Sequence, residues 1–239
     1  KERLAETRDM ARGYAQATEQ MLAEQQAKEE IDTAIENGEE VDDATLEQHT
    51  REKVEEELMP ALVGIAFENG ESEMGSQALY RVSRPDDTER KGYIVRGEAT
   101  PQVEQGDEGL IFTNKDALVT VKWDDGTIEQ TTLAKLNIDS TSTIAEQVEE
   151  EVQKQFLVAK GKQTYKQGTA VTMQVPNVQT GEQETLQGRV LSTNENGVEV
   201  ELVAQDGVTT TTNVDYASAT QVLSVVPQQP SAPSQSTQN

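Results

Sequence analysis

The stretch VTVKWDDGTIEQTTL, residues 119–133, predicts a β-hairpin. Valines alternate with polar residues up to Trp123, and a second alternating run begins after Gly126. Strict alternation of this kind is typical of a strand with one buried face. The Asp125-Gly126 pair is a strong hairpin-turn signal, because glycine accepts the positive φ that such turns require. The sequence therefore predicts a β-sheet around this stretch.

A second stretch with the same order of features predicts that the β-module is duplicated. Residues 109–133 and 188–214 both read as strand, turn, strand, Asp-Gly turn and strand when Gly126 is aligned with Gly207. The two copies are expected to superpose. Upstream of the aligned strands, the register of the two copies differs by two residues, and a longer turn at residues 194–197 is expected to accommodate this difference. The other aligned pairs are Val119 with Val200, Val121 with Leu202, Trp123 with Ala204, Asp125 with Asp206, Leu133 with Val214, and Gly109 with Gly188.

The first copy also carries a family resemblance. A strand ending in Trp-Asp-Asp-Gly, an extended strand and then LAKL, residues 133–136, resembles the core hairpin of Tudor- and KOW-type SH3-like small β-barrels. The resemblance covers about 25 residues in each copy. It implies two small closed barrels. Modules of that fold bind peptides, methylated side chains, nucleic acid or neighbouring protein surfaces, so the fold does not choose the ligand.

The N-terminal region is predicted to form an acidic helical hairpin. Residues 1–36 are rich in strong helix formers, and Asn37-Gly38 ends that helix. Asp42 or Asp43 caps a second helix, in which Pro60 predicts a kink or a new first turn. Both apolar stripes are thin, which predicts that other chains, or a further part of a longer polypeptide, bury them. The predicted interface residues are Met10, Tyr14, Met21, Leu46, Val54, Leu58 and Leu62.

Between Leu136 and Gly161 the sequence predicts a further helix. Thr143 and Glu146 have capping-box spacing, and Gly161 is expected to end the helix. Strand patterns resume afterwards and include Thr220–Val226. One face of this helix should be buried, since apolar residues recur on it at Ile144, Val148, Val152 and Phe156.

The expected fold class is α+β, an N-terminal acidic helical hairpin followed by two small SH3-like β-barrels joined by a helix. The predicted boundaries are residues 1–75 for the helical region, 76–138 for the first barrel, 139–161 for the connecting helix, 162–226 for the second barrel and 227–239 for a Pro/Ser/Gln-rich tail. Because Lys1 opens directly into a helix-like sequence, the chain is expected to be part of a longer polypeptide.

Charge and composition favour some classes of partner and location over others. The net charge is −24, from 44 acidic and 20 basic residues, and residues 1–75 alone carry −14. This charge disfavours duplex nucleic acid and anionic membranes, and favours protein partners with basic surfaces in a homo- or hetero-oligomer. There are no cysteines, and no apolar run approaches the roughly 20 residues of a membrane span. A cytoplasmic or virion location is favoured over secretion.

Trp123 is the first candidate ligand-binding residue. With Tyr80, Tyr93 and Phe112 it would form an aromatic cage for a cationic ligand. The simpler interpretation is that Trp123 fills the barrel core.

The remaining candidates have structural interpretations. His49, the only histidine, is predicted to be a solvated surface residue. Asp116, Asp124 and Asp125 fit no calcium loop, and Asp-Asp-Gly is explained as a turn. Residues 97–109 are either a flexible binding loop or a tolerated insertion. A basic cluster would contact phosphate or an acidic protein, and consists of Arg81, Arg84, Arg90, Lys91 and Arg96. No catalytic residue, metal site or cofactor is predicted.

The sequence therefore favours a non-enzymatic structural or interaction protein within a large assembly. Small β-modules strung between helices resemble structural or cargo proteins of bacteriophage particles. The alternative is a Tudor/KOW-like regulator that recognises a nucleic-acid-associated partner. An enzyme using carboxylates alone ranks third, because the chain has one histidine, no cysteine and no Gly-rich phosphate loop.

Overall fold

The computed structural model describes residues 2–68, 74–107, 109–176, 183–204 and 207–227, and the side chains from Gln16 onward except those of Met74 and Pro176. Contacts divide the chain into two units. The middle unit comprises residues 50–153, and the terminal unit combines residues 1–49 with residues 154–239. Of the predicted tail, residues 227–239, all but Pro227 lie outside the described residues.

The middle unit contains a five-stranded antiparallel sheet and a separate two-stranded hairpin. Its strands are β1 Ala78–Arg84, β2 Asp87–Gly97, β3 Val103–Gly106, β4 Gly109–Phe112, β5 Leu118–Trp123, β6 Ile128–Thr132 and β7 Asn137–Thr143. The sheet order is β6-β5-β2-β1-β7, and β3 pairs with β4. The hairpin β3–β4 is therefore inserted between two strands, β2 and β5, that are neighbours in the sheet.

The terminal unit contains a second antiparallel sheet of the same size. Its strands are β8 Ala170–Pro176, β9 Gln183–Thr193, β10 Gly197–Val203, β11 Thr209–Asp215 and β12 Leu223–Val225. Their order is β11-β10-β9-β8-β12. Its core consists of side chains from these strands with Tyr165 and Tyr216 packed among them.

The prediction of SH3-like barrels is wrong. The edge strands are β6 and β7 in the first sheet, and β11 and β12 in the second. Within the described ranges, β6 is not paired with β7 and β11 is not paired with β12, so neither sheet closes. Alternation and turn residues predict pairing between strands that are adjacent in sequence. They do not determine whether the two outer strands of a meander meet, which is what closes a barrel. The fold is dominated by open antiparallel sheets, with two helices at the N-terminus.

The predicted duplication is confirmed for the two glycine turns, while Asp206 lies outside the described residues. Gly126 and Gly207 both have φ of +83°. The hydrogen bonds also correspond: Trp123 N donates to Thr127 O as Ala204 N donates to Val208 O, at 2.9 Å in each case. Both sheets have the same strand order, which makes β1, β2, β5, β6 and β7 equivalent to β8, β9, β10, β11 and β12.

The upstream half of the alignment is wrong. Gly109 begins β4, which pairs with β3, whereas Gly188 lies in β9, which pairs with β10. Each glycine precedes an apolar run, but only the run after Gly188 lies in a five-stranded sheet. Residues 97–109, expected to be a flexible loop, contain the whole of β3.

Four α-helices occur in the described part of the chain: α1 Glu2–Glu36, α2 Asp43–Val63, α3 Ile144–Thr164 and α4 Tyr216–Val222, with short 3-10 segments at Met74–Ser76 and Leu133–Lys135. Their ends follow local signals. Gly38, with φ of +65°, terminates α1, and the Asp42 carboxylate accepts the Thr45 N–H at 3.0 Å. Thr143 and Glu146 form the predicted capping box, with reciprocal bonds of 2.7 and 3.2 Å.

Three predicted helix or strand limits are wrong for tertiary reasons. The predicted connecting segment begins at residue 139, but residues 137–143 form β7 because they pair with β1. α3 continues past Gly161 to Thr164. This glycine is needed for close packing, since a Cβ there would lie 2.8 Å from the Tyr216 Cβ. The predicted strand Thr220–Val226 divides into the end of α4 and β12. Pro60 lies inside α2, so no new helix begins there.

The predicted interface on α2 is also wrong. Leu46, Val54 and Leu62 are buried within the chain, and Leu58 is half-buried. Val54 and Leu62 share a cluster with α3 and the sheet, formed with Leu79, Ile144, Val148 and Val152. The surface opposite the α2 stripe is formed by three α3 side chains and by Leu79 of β1. Met21 is exposed, and the side chains of Met10 and Tyr14 lie outside the described set.

Candidate interaction site

Trp123 lies in the core of the first sheet with its ring already occupied by charged groups of the same chain. Its side chain is 2% exposed. The guanidinium groups of Arg90 and Arg84 lie 4.8 and 5.7 Å from the ring centroid, and the indole Nε1 donates to Glu129 at 3.1 Å. Two internal cations thus occupy positions that a cationic ligand of an aromatic cage would take.

The four proposed cage residues do not come together. Tyr80 and Phe112 are buried in the same cluster as Trp123, and the Tyr80 hydroxyl donates to Pro101 O at 3.3 Å. Tyr93 packs instead against the α2–α3 cluster, on the other face of the sheet, beneath the Arg81 guanidinium. Burial raises the pKa of Tyr80. The core interpretation of Trp123 matches these contacts.

The Asp-Asp-Gly turn is held by arginines from both faces of the sheet. Arg81 donates two hydrogen bonds to Asp124, at 2.7 and 2.5 Å, and Arg90 lies 3.5 Å from Asp125. Arg84 donates to Glu129 just beyond the turn. The Arg81 hydrogen bond lowers the pKa of Asp124, and the Arg84 bond, aided by the Trp123 indole, lowers the pKa of Glu129. These contacts fix the hairpin on the sheet.

The predicted basic cluster is internally neutralised. In addition to the three arginines at the turn, Lys91 lies 3.6 Å from Asp139 and Arg96 lies 2.6 Å from Glu68. Every member therefore has a carboxylate partner. An incoming phosphate would have to displace these partners, so the cluster does not offer the free positive surface that nucleic-acid binding requires.

His49 is buried, contrary to the prediction of a solvated residue. Its side chain is 6% exposed, and Nε2 lies 3.1 Å from the Asp32 Oδ1 on α1. The two residues are 17 positions apart, so a sequence pattern does not reveal the contact. Within the described residues, no group of three or more His, Asp or Glu side chains is arranged to hold a metal ion.

Two clefts differ in character. A cleft of about 760 Å³ in the terminal unit is lined by residues 36–38, 162–167 and 193–195 and is mainly polar. Its tyrosines are engaged internally, since the Tyr165 hydroxyl donates to Leu223 O and the Tyr216 hydroxyl to Asn194 O. A groove of about 400 Å³ in the middle unit runs between β4 and the start of β7, and carries Leu110, Phe112, Leu136 and Ile138.

The most exposed apolar surface of a helix is on α1. Every residue from 16 to 27 is exposed, around the whole circumference of the helix, and burial begins only at Lys28. Met21 is 70% exposed and Leu22 is 55% exposed. Residues 16–36 contain six acidic residues and one basic residue, a net charge of −5. We refer to residues 16–27 as the exposed helix segment.

None of the helices in the described ranges combines the length and apolar character needed to cross a bilayer. The chain as a whole was also compared with known proteins. No family model, no curated protein and no solved structure matches it.

Proposed function

We propose that this chain is a non-enzymatic structural or interaction protein that works within a large assembly, of which a bacteriophage particle is one example. In this proposal the exposed helix segment docks on a basic protein surface. The observation that carries the proposal is the complete exposure of residues 16–27 in a helix of 35 residues.

The low intrinsic stability expected of the exposed helix segment supports docking. A helix without tertiary contacts is marginal in water, and most helical stability in proteins comes from packing of an apolar face. The segment keeps local bonds between helical neighbours, such as Gln20 Nε2 donating to Glu24 Oε1 at 2.9 Å. Such pairs contribute only tenths of a kcal/mol. Burial of Met21 and Leu22 by a partner would supply the missing apolar contacts.

The charge of the segment indicates what kind of partner it accepts. Glu19 and Glu24 give the segment a net charge of −2, and residues 28–36 add −3, so that residues 16–36 carry −5. This charge repels a second acidic helix and attracts a surface rich in lysine and arginine. Such steering is screened by salt, so the association should weaken as ionic strength rises. We therefore expect a partner surface on which lysine and arginine residues flank a row of apolar residues.

The pairing within the first sheet supports a structural role over a catalytic one. Its arginines and carboxylates, including Arg81 with Asp124 and Arg84 with Glu129, are bonded to one another. Arrangements of this kind hold strands and turns in place. A catalytic site instead needs groups whose hydrogen bonds are directed at a substrate.

The proposal is tested with the full chain and a defined probe, a fluorescent helical peptide with leucines along one face and lysines elsewhere. Fluorescence anisotropy should detect binding that weakens with salt. Met21→Gln with Leu22→Gln keeps the charge and should weaken binding about tenfold, which corresponds to about 1.4 kcal/mol of lost apolar contact.

Ile128→Gln is the matched control, because Ile128 is also 70% exposed but lies on β6. It should bind the probe as the parent protein does. Equal binding by the double variant and the parent would overturn the proposal, because the attraction would then be charge alone.

A further inference from the structure

The outer edge of the second sheet is long, regular and almost uncharged. β11 comprises Thr209–Asp215, TTTTNVD, and pairs with β10 over all seven residues without a register shift. Its single charged residue, Asp215, caps α4 by accepting the Ser218 N–H at 2.9 Å. No described strand pairs with the other side of β11.

The hydrogen-bond pattern shows which backbone groups face that free side. Ala204 N donates to Val208 O at one end of the β10–β11 ladder, and Tyr216 N donates to Asn196 O at the other. Hydrogen-bonded and non-hydrogen-bonded pairs alternate in an antiparallel ladder. The even-numbered residues of β11 are therefore bonded to β10. The N–H and C=O groups of Thr209, Thr211 and Asn213 point outward.

Edge strands of soluble proteins are normally protected from pairing by charges, prolines or bulges. β11 has none of these between Thr209 and Val214. The equivalent edge of the first sheet, β6, is shorter and carries Glu129, which is paired with Arg84. Of these two equivalent edge strands, only β11 therefore lacks such protection.

We infer that β11 pairs with β11 of a second copy of this chain, so that two five-stranded sheets join across a twofold axis. With Thr211 opposite Thr211, Thr209 of each copy lies opposite Asn213 of the other, and all three outward residues bond. A twofold contact must be complementary to itself. This edge meets that requirement because it brings no formal charge against its own copy, and threonine pairs across strands are favourable.

Self-pairing through β11 is independent of the proposed docking of the exposed helix segment, and the two respond oppositely to salt. Each copy carries a net charge of −24, so the chains repel one another at low ionic strength. Salt screens this repulsion, with a Debye length of about 10 Å at 0.1 M. One strand pair buries less area than a standard protein interface, so a weak dimer is expected.

Sedimentation equilibrium of the full chain tests the inference. The apparent mass should rise from 26.2 kDa toward roughly twice that value with increasing protein concentration, and more readily at high salt. Thr211→Pro should abolish the rise, because it removes an outward donor while leaving the bonds to β10. Gln130→Pro is the matched control, since Gln130 occupies the equivalent outward position on β6, opposite Thr120. It should dimerise as the parent does.

Thr211→Lys provides a second variant in case proline disturbs the sheet, because it places two like charges at the twofold axis. Circular dichroism melts would confirm that each variant is folded. A parent protein that remains monomeric at all concentrations and salt levels would overturn the inference. So would a folded Thr211→Lys variant that dimerises as the parent does, or an equal loss of dimer in Gln130→Pro.

Discussion

Gly126 and Gly207 have the same backbone conformation, φ of +83°, at equivalent turns of the two sheets. Each N–H donates back to the residue three positions earlier, Trp123 in one sheet and Ala204 in the other. Nothing lies within 4 Å of a Cβ built at either glycine. The requirement for glycine at both turns is therefore one of backbone conformation and not of space.

Alanine at either turn should destabilise the protein through the backbone alone. Gly126→Ala and Gly207→Ala should each lower the free energy of unfolding by about 1–2 kcal/mol, the cost of a left-handed conformation for an L-residue. Gly75→Ala is the control, because a Cβ there meets only Ala145 Cβ at 3.9 Å and φ is not positive. Urea denaturation measures all three. A neutral Gly207→Ala would contradict the equivalence of the turns.

Glu129 should stabilise the first sheet mainly by accepting the Trp123 indole hydrogen bond. Glu129→Ala leaves a buried N–H without an acceptor, which should cost about 1–3 kcal/mol. Glu129→Gln keeps an acceptor and loses only the ion pair with Arg84, so its effect should be smaller. Trp123 is the only tryptophan, so its fluorescence during urea unfolding reports this sheet directly. Equal losses in both variants would mean that the ion pair dominates.

The α3 helix should depend on Val152 more than on the larger Phe156. Val152 is fully buried, whereas Phe156 is half-buried and lies beside Lys160, whose ammonium is 5.6 Å from the ring centroid. Val152→Ala should therefore cost about 2–3 kcal/mol, and Phe156→Ala only about 1–2 kcal/mol. Thermal and urea unfolding of both variants measure the order. The reverse order would show that Phe156 is buried in solution.

The Arg81–Asp124 pair should give a stability contribution that is lost in acid. The pKa of Asp124 is lowered in the folded protein, first by its hydrogen bond with Arg81. Its contribution is therefore present above the unfolded value of 3.8 and disappears as pH falls through the lower folded pKa.

Asp124→Asn should accordingly cost about 0.5–1 kcal/mol at pH 7, since the carboxylate is largely exposed, and less at pH 2. Urea unfolding at both pH values measures the difference. Asp116→Asn is the comparison, because Asp116 is exposed and forms no ion pair among the described residues. A penalty for Asp124→Asn that persists at pH 2 would point to packing instead of charge.

Features set by neighbouring residues could be predicted from the sequence. The Asp-Gly hairpins, the end of α1 at Gly38 and the capping box at Thr143 all depend on contacts within about five residues, and all are present. Strand pairing over longer separations could not be predicted. β7 pairs with β1 across roughly 60 residues, and no signal within residues 137–143 identifies that partner.

In the candidate site, too, local features could be predicted and long-range contacts could not. The sequence identifies Trp123 as a core residue because one large aromatic side chain follows alternating valines. It does not reveal that Arg81 binds Asp124, because the two are 43 residues apart and come together only when β2 places β1 near β5. The burial of His49 was missed for a similar reason, since its partner Asp32 lies on the preceding helix.

Because α1 is uninterrupted, the position of the exposed helix segment along and around the helix axis is set by the number of residues that follow it. With a rise of 1.5 Å per residue, Met21 lies about 22 Å along the helix axis from Glu36. Adding two residues between them would turn Met21 by about 200° around the axis, whereas adding seven would move it about 10 Å farther and leave its direction nearly unchanged. In the proposed docking, the number of residues between Met21 and Glu36 would therefore set both the distance of the partner along the helix axis and its direction around the axis.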